Sequence, residues 1–381
     1  MLAVLHVAHS RQVSEGKIER LQLQPDLRIR LVRPGRRVLP DRGGRVRALG
    51  RSSSFDGPLR VPVWRPADPH RCLYGTLTFG LRRFRPDLVH VEEEPDSLAA
   101  LQVCLARLAW APSAGLVFHT WQNVRRELSP PVRALLATSL RAADAVLCAS
   151  REAEEVVRSR GFAGLTRTIL PQGVDVARFV PPVSPPPPGR FAIGYVGRLA
   201  PEKGCATLLE AVARLGPPCS LTLVGDGPDR DALERRAADL GIGDRVRFRG
   251  PVEHSSIPAA LAAFDVVVLP SRTTRVWKEQ FGRVLAEAMA CTVPVVGSDS
   301  GAIPEVIGDA GLVFPEGDAN ALTARLCALR DDAALRRELG GRGRERAVRE
   351  FSEARLAELT AAFYRELAAT TGGRRRTEGR A

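Results

Sequence analysis

Apolar positions along this chain fall into short continuous runs separated by longer stretches of helical spacing. In the first half the runs are LAVLHVA at 2–8, DLVHVE at 87–92, GLVFHT at 115–120 and DAVLCAS at 144–150. A continuous run, rather than an alternating one, is what a strand covered on both faces requires, and such strands belong to parallel sheets. Between them, 95–109, 130–142 and 150–160 read as helices. The segment VPPVSPPPPGR at 180–190 then interrupts the pattern. Polyproline is stiff and can continue neither a helix nor a central strand. A domain boundary is therefore expected there, with a first domain over 1–180, a linker over 181–189 and a second domain over 190–350.

The second half repeats the alternation more cleanly. RFAIGYVG, SLTLVGDG, RVRFRG, FDVVVLP, VPVVGSD and GLVFP read as strands, and GCATLLEAVARL and DRDALERRAADLG as two of the helices between them. This βαβα order predicts a second doubly wound parallel sheet, giving an α/β protein of two Rossmann-like domains. Such sheets bind ligands beyond the carboxyl ends of their strands, so two of them are expected to face each other across a cleft. The end of the chain, GGRRRTEGRA at 372–381, reads as a disordered basic tail.

Composition narrows the function classes. A length of 381 residues suits two domains, and 44% hydrophobic residues suffice for two cores. No apolar run approaches the ~18–20 residues of a membrane helix. MLAVLHVAHSRQ has no basic flank, so it reads as a first strand and not a leader. The seven cysteines are scattered without a C-x-x-C pair, as expected of reduced core thiols in a cytoplasmic protein. The net charge is +13, and only three of the 56 basic residues are lysines, Lys17, Lys203 and Lys278. A basic surface attracts nucleotides, nucleic acid or anionic headgroups. Peripheral contact with the inner face of a membrane is a further expectation. A nucleic-acid-binding protein is the rival reading from another class. The basic residues are dispersed, and neither zinc-ligand spacing nor an aromatic RNA-binding motif is present, so no nucleic acid is expected.

Two motifs carry chemistry. In GYVGRLAPEKG at 194–204 a strand ends at Gly197, a loop carries Arg198 and Lys203, and Gly204 opens a helix. Glycines let backbone approach an anion, a helix N-terminus adds positive potential, and a planar guanidinium beside a compact ammonium suits a diphosphate. In KEQFGRVLAE at 278–287, Glu279 stands on a loop near the start of a helix and Glu287 lies on that helix eight residues later. A carboxylate accepts two hydrogen bonds and so suits vicinal hydroxyls. Held apart in this way, the two carboxylates can meet different parts of one extended ligand.

The E-x7-E pair before EAMACTVPVV, with GRLAPEKG upstream and LVGDGP between, resembles the retaining glycosyltransferases of family 4, which have the GT-B fold. The resemblance covers most of 190–350, and TWQN and LPQGVD extend it into the first half in the manner of a bacterial branch. It implies that the second domain holds a nucleoside diphosphate sugar (UDP or GDP) as co-substrate. Arg198 and Lys203 would grip the diphosphate, assisted by the backbone of Phe281 and Gly282. Glu287 would bind the ribose and Glu279 the sugar ring. Gly225 and Val252 would flank the base. His119, in FHTWQN, would face the donor sugar, with Trp121, Gln122 and Asn123 as contacts to donor or acceptor. VEEEPDS puts Glu92, Glu93 and Glu94 at another strand end, where Glu93 is the candidate for acceptor hydroxyls and a solvated acidic loop is the alternative. The helix-like segment 351–371 would return to the first domain through Leu356, Leu359, Ala362, Phe363 and Leu367.

One segment departs from the family. A Gly-Gly loop commonly follows the first strand, but here Gly16 stands alone and His9, Ser10, Arg11 and Lys17 occupy that stretch, leaving Ser10 and Lys17 as candidate sugar contacts. No Asp-x-Asp motif stands in a position that suggests a metal. The resemblance implies neither a metal nor another cofactor, with basic groups and helix N-termini stabilising the leaving diphosphate instead. The expected function is transfer of a sugar to a small-molecule or lipid-linked acceptor in glycan, glycolipid or specialised-metabolite biosynthesis. A nucleotide-sugar 2-epimerase of the same fold is the nearer alternative, and E-x7-E together with EKG favours the transferase.

Overall fold

A computed structural model describes residues 1–8, 15–34, 59–61, 63–64, 70–75, 77–182 and 191–378. The chain divides into two compact units, 1–173 with 353–381, and 174–352. In the first unit the elements run β1 (Leu2–Ala8), α1 (Glu15–Gln22), β2 (Leu27–Pro34), β3 (Leu59–Val61), β4 (Val63–Trp64), β5 (Leu73–Tyr74), α2 (Leu77–Phe84) and β6 (Leu88–Glu92). They continue with α3 (Leu98–Trp110), β7 (Gly115–Thr120), α4 (Pro130–Ala142), β8 (Ala145–Cys148), α5 (Arg151–Ser159) and β9 (Leu165–Thr168). Seven strands form one parallel sheet in the order β3-β2-β1-β6-β7-β8-β9, and β4 and β5 pair antiparallel.

Strand polarity follows the apolar runs, and helix starts follow the caps. Ser97 accepts from the Ala100 N–H and Ser150 from the Ala153 N–H, opening α3 and α5. One face of the sheet is a hydrocarbon core that includes Leu5, Val7, Val89, Val91, Leu116, Phe118 and Val146. The side chains that alternate with these, His6, His90, Glu92 and His119, are also buried and point to the opposite face.

The second unit contains β10 (Phe191–Val196), α6 (Cys205–Leu215), β11 (Cys219–Val224), α7 (Arg230–Asp239), β12 (Val246–Phe248), α8 (Ile257–Leu261), β13 (Val266–Leu269) and α9 (Arg283–Ala290). After these come β14 (Val295–Ser298), α10 (Ile303–Ile307), β15 (Leu312–Phe314), α11 (Ala319–Asp331) and α12 (Ala333–Arg346). Its six-stranded sheet has the order β12-β11-β10-β13-β14-β15, all parallel. The order reverses at β10/β13, and a crevice opens beyond the carboxyl ends of strands at such a point.

The first unit ends at Gly173, earlier than the boundary expected at 180. Val174 forms a parallel bridge with Ser352, and the Arg344 guanidinium donates to the Val176 and Phe179 carbonyls. Those contacts hold 174–179 to the second unit. The proline-rich segment lies almost wholly outside the described residues. The last helix, α13 (Glu353–Glu378), packs on α1 in the first unit. It buries Leu356, Ala357, Ala361, Phe363, Tyr364 and Leu367, whereas Ala362, expected in the docking stripe, is exposed. The helix also runs on to Glu378, through most of the segment expected to be disordered.

Candidate active site

The candidate donor residues of the second unit come from segments that leave β10, β11, β12 and β13 at the carboxyl edge of its sheet. After β10 a short turn, Pro201–Lys203, delivers Lys203. Gly204 closes it at φ +67°, and a Cβ there would overlap the Pro270 carbonyl oxygen. Only glycine satisfies both constraints, and the close approach sets Lys203 beside the loop after β13. The Lys203 Nζ stands 2.6 Å from Glu279 Oε2. Ser271 Oγ donates to the same oxygen at 2.8 Å, and the Ala302 N–H holds the Glu279 carbonyl at 3.0 Å. Glu279 is buried. Lys203 Nζ also lies 4.5 Å above the Trp277 ring. Arg198 is paired with Glu202 and leaves 61% of its side chain exposed.

Glu287 lies on α9 and is buried. Its Oε1 takes Arg283 Nε at 2.8 Å and His254 Nε2 at 2.9 Å, and the His254 ring packs 5.5 Å from Phe179. Gly282, at φ +72°, precedes the helix. The Phe281 side chain is core, packed against Phe351, so backbone alone is what this pair presents. The Gly225 N–H donates to Gly250 O at 2.9 Å. Val252 is partly exposed, two residues before His254. Arg198, Lys203, Glu279, Gly282 and Glu287 thus belong to one edge, and each described charged group among them already holds a countercharge.

The candidates of the first unit fare differently. His119, expected to face a sugar, is 2% exposed. Its Nε2 lies 2.7 Å from Ile169 O, and its Nδ1 lies 3.3 Å from His90 Nε2, while His90 Nδ1 lies 2.6 Å from the Tyr364 hydroxyl. One set of tautomers satisfies the whole chain: Tyr364 O–H donates to His90 Nδ1, His90 Nε2–H to His119 Nδ1, and His119 Nε2–H to the Ile169 carbonyl. Burial, ahead of the nearby Lys17 charge, pushes the His119 imidazolium down to about 3, so the ring is neutral. His119 is therefore a buried, neutral imidazole in the ligand-free chain, and its side chain does not line the open carboxyl edge.

Lys17 is likewise fully buried, with Nζ 3.2 Å from Glu92 Oε1. Burial raises the Glu92 carboxyl, and Lys17 and His6 more than reverse this, leaving it at about 2. His6, His90 and Glu92 bring potential ligand atoms within 4.8 Å of one another. The Lys17 ammonium already supplies a cation there, and both His90 nitrogens are engaged, so the residues do not fit an added metal. Glu93 turns inward to accept from Tyr74 Oη at 2.5 Å, and burial pushes its carboxyl up to about 8. Asn123 is buried and its Nδ2 reaches Glu152 at 3.3 Å. Ser10 lies outside the described residues.

What the first unit does expose at its carboxyl edge is a small open cavity lined by Glu94, Asp96, Thr120, Gln122 and Arg160 over an aliphatic floor that includes Leu136 and Leu140. Glu94 is braced by Thr120 Oγ1 at 2.5 Å and the Trp121 N–H at 2.9 Å. Thus Trp121 contributes its backbone here, beside the cavity. Glu94 and Gln122 both lie within the stretches read as acceptor or donor contacts, whereas His254 and Trp277 are members that motif reading missed. His254 lies inside a recognisable motif, while Trp277 has no periodic signal.

Two doubly wound parallel-sheet units define an α/β architecture shared by many enzymes, and comparison specifies the family. Residues 178–346 match the glycosyl transferases group 1 family and residues 29–178 match glycosyltransferase family 4. The 2-deoxystreptamine N-acetyl-D-glucosaminyltransferase of Streptomyces fradiae is 31% identical over 82% of this chain and 78% of its own length. Glycogen synthase of Mycobacterium tuberculosis is 30% identical over 77% and 71%. Sucrose-phosphate synthase from Thermosynechococcus elongatus superposes with a TM-score of 0.68 at 24% identity, covering 97% of this chain and all of that one. Anabaena HepE in complex with UDP gives a TM-score of 0.69 at 20% identity, covering 96% of this chain and 100% of HepE. The chain belongs to glycosyltransferase family 4. It is a glycosyltransferase of GT-B fold.

Proposed function

We propose that the protein is a retaining glycosyltransferase that binds a UDP- or GDP-sugar on its second unit and transfers the sugar to a hydroxyl of a small polyhydroxylated acceptor. The observation that carries the donor reading is the Lys203–Glu279 pair at 2.6 Å, with Glu287 on the adjoining helix. The bound diphosphate takes up Lys203 and Arg198 and the free N–H groups that open α9, and these offset the charge that grows on the leaving group. Released from Lys203, Glu279 accepts from the sugar hydroxyls, and Glu287 accepts from the ribose. The bond from the anomeric carbon to the diphosphate oxygen breaks, the bond to the acceptor oxygen forms on the same face, and the acceptor's proton leaves on the diphosphate. No metal or other cofactor enters these steps.

The acceptor belongs to the first unit, where Glu94, Thr120 and Gln122 line the cavity. The Streptomyces relative, named for an aminocyclitol acceptor, supports a compact polyol. A lipid-linked acceptor is the second reading. Leu105, Leu108 and Trp110 stand exposed on α3, with the Arg82 guanidinium over the Trp110 ring, an apolar and basic combination that suits contact with an anionic membrane surface. Among the described residues no helix is long and apolar enough to cross a membrane. Incubation with a panel of UDP- and GDP-sugars, with and without polyol acceptors, tests the proposal. Nucleoside diphosphate release from one donor, in the presence or absence of EDTA, is the expected result. Epimerised nucleotide sugar with no transfer favours the epimerase instead.

A further inference from the structure

We propose that Trp277 is the positioning residue for the Lys203 ammonium and, through it, for the donor diphosphate. The proposal rests on the donor reading above and extends it to a residue with no assigned role. The segment 271–280 leaves β13 as a loop and does not enter α9 directly. Within it, the Thr274 N–H donates to Trp277 O at 2.8 Å, and the Trp277 N–H donates to Thr274 Oγ1 at 3.0 Å. These two bonds tie a turn whose tip, Val276, is 70% exposed. The turn carries the half-buried indole to the Lys203 ammonium, 4.5 Å from the ring centroid. Glu279, two residues further on, takes the same ammonium at 2.6 Å.

An ammonium has three N–H donors. A carboxylate and an aromatic face fix its nitrogen from two directions and leave donor capacity for an incoming phosphate oxygen. The two supports respond differently to an arriving anion. Glu279 is a charged competitor that the diphosphate displaces. The indole attracts the cation without competing for the phosphate, so it keeps Lys203 in place as the exchange occurs. A lysine on a flexible four-carbon stem loses rotamer freedom on binding, and restraint beforehand removes part of that loss.

The sequence holds only three lysines, which makes a ligand-free test selective. The full chain is labelled with an acetyl succinimidyl ester and read peptide by peptide, with buried Lys17 and loop Lys278 as internal references. Trp277→Leu should raise Lys203 labelling about three- to tenfold relative to Lys278, while Trp277→Phe stays within about twofold. UDP and GDP are then titrated onto the same variants. Trp277→Leu should weaken the tighter nucleotide about three- to tenfold when Lys203 is present and less than about twofold in a Lys203→Ala background. Unchanged labelling, or equal losses in both backgrounds, overturns the positioning role. Labelling that responds while the wild-type chain binds neither nucleotide overturns the donor reading and, with it, the diphosphate half of this proposal.

Discussion

Lys203 Nζ and Glu279 Oε2 meet at 2.6 Å across 76 residues of sequence. They come from the loops after β10 and β13, the pair of strands where the second sheet reverses its order. The Lys203 ammonium is thus already neutralised in the ligand-free chain, and on the proposed donor reading a diphosphate enters by exchange for a carboxylate and not by filling a bare cationic pocket.

Removing the ammonium tests this exchange. Lys203→Ala should cost about 1.5–3 kcal/mol of donor binding, the range for a charge-assisted hydrogen bond, or roughly ten- to hundredfold in kcat/KM. Arg198→Ala should cost less, because its side chain is 61% exposed and already screened by solvent. Steady-state kinetics with the donor found in the panel reads both, and near-normal activity in both variants removes the diphosphate assignment.

Glu93 gives the first unit a pH dependence of stated sign. Its carboxyl is raised from 4.5 to about 8 in the folded chain, so the folded state keeps a proton that the unfolded state has lost. The stability this supplies is fully present below about pH 4.5 and declines as pH rises toward 8. His119, lowered from 6.5 to about 3, acts oppositely, but its contribution is complete above its unfolded value. Between pH 6.5 and 8 the Glu93 slope should therefore show in thermal melts. Glu93→Gln should flatten it, and an unchanged slope in that variant contradicts the assignment.

Tyr364→Phe tests the buried histidine chain. The phenylalanine fits the space, and His90 Nδ1, 2.6 Å from the lost hydroxyl, is left without its donor. An unsatisfied buried acceptor costs about 1–3 kcal/mol. The expected fall in thermal midpoint is about 2–4 °C for each kcal/mol in a unit of this size. Nucleotide affinity, read on the second unit, should not change.

Strands such as β1, β7 and β10 were legible in the sequence because both faces are covered and the runs are apolar throughout. β2, LRIRLVRP, escaped because its arginines alternate with its apolar residues. In the second unit the motifs sit on turns whose glycines fix the path, and Lys203 meets Glu279 there, while Glu287 on the adjoining helix pairs with Arg283 and His254. In the first unit a strand end alone does not say which way a side chain points. Phe118 and His119 face opposite sides of the sheet, and a period of two decides between core and cleft. His119, Glu93 and Asn123 turned inward, while Glu94 and Gln122, one position along, line the cavity. Trp277 meets Lys203 only through tertiary structure.

On the proposed function the two glutamates divide the labour of donor binding and transfer, and one comparison tests this directly: calorimetric affinity for the free nucleoside diphosphate, beside the single-turnover rate of transfer, in Glu279→Gln and Glu287→Gln. Glu287→Gln should weaken the free diphosphate by roughly tenfold, through lost hydrogen bonds to the ribose. Glu279→Gln should leave that affinity unchanged or tighter, because Lys203 loses its competing carboxylate, while transfer slows by about ten- to hundredfold. Loss of diphosphate affinity in Glu279→Gln, with full affinity retained in Glu287→Gln, contradicts it.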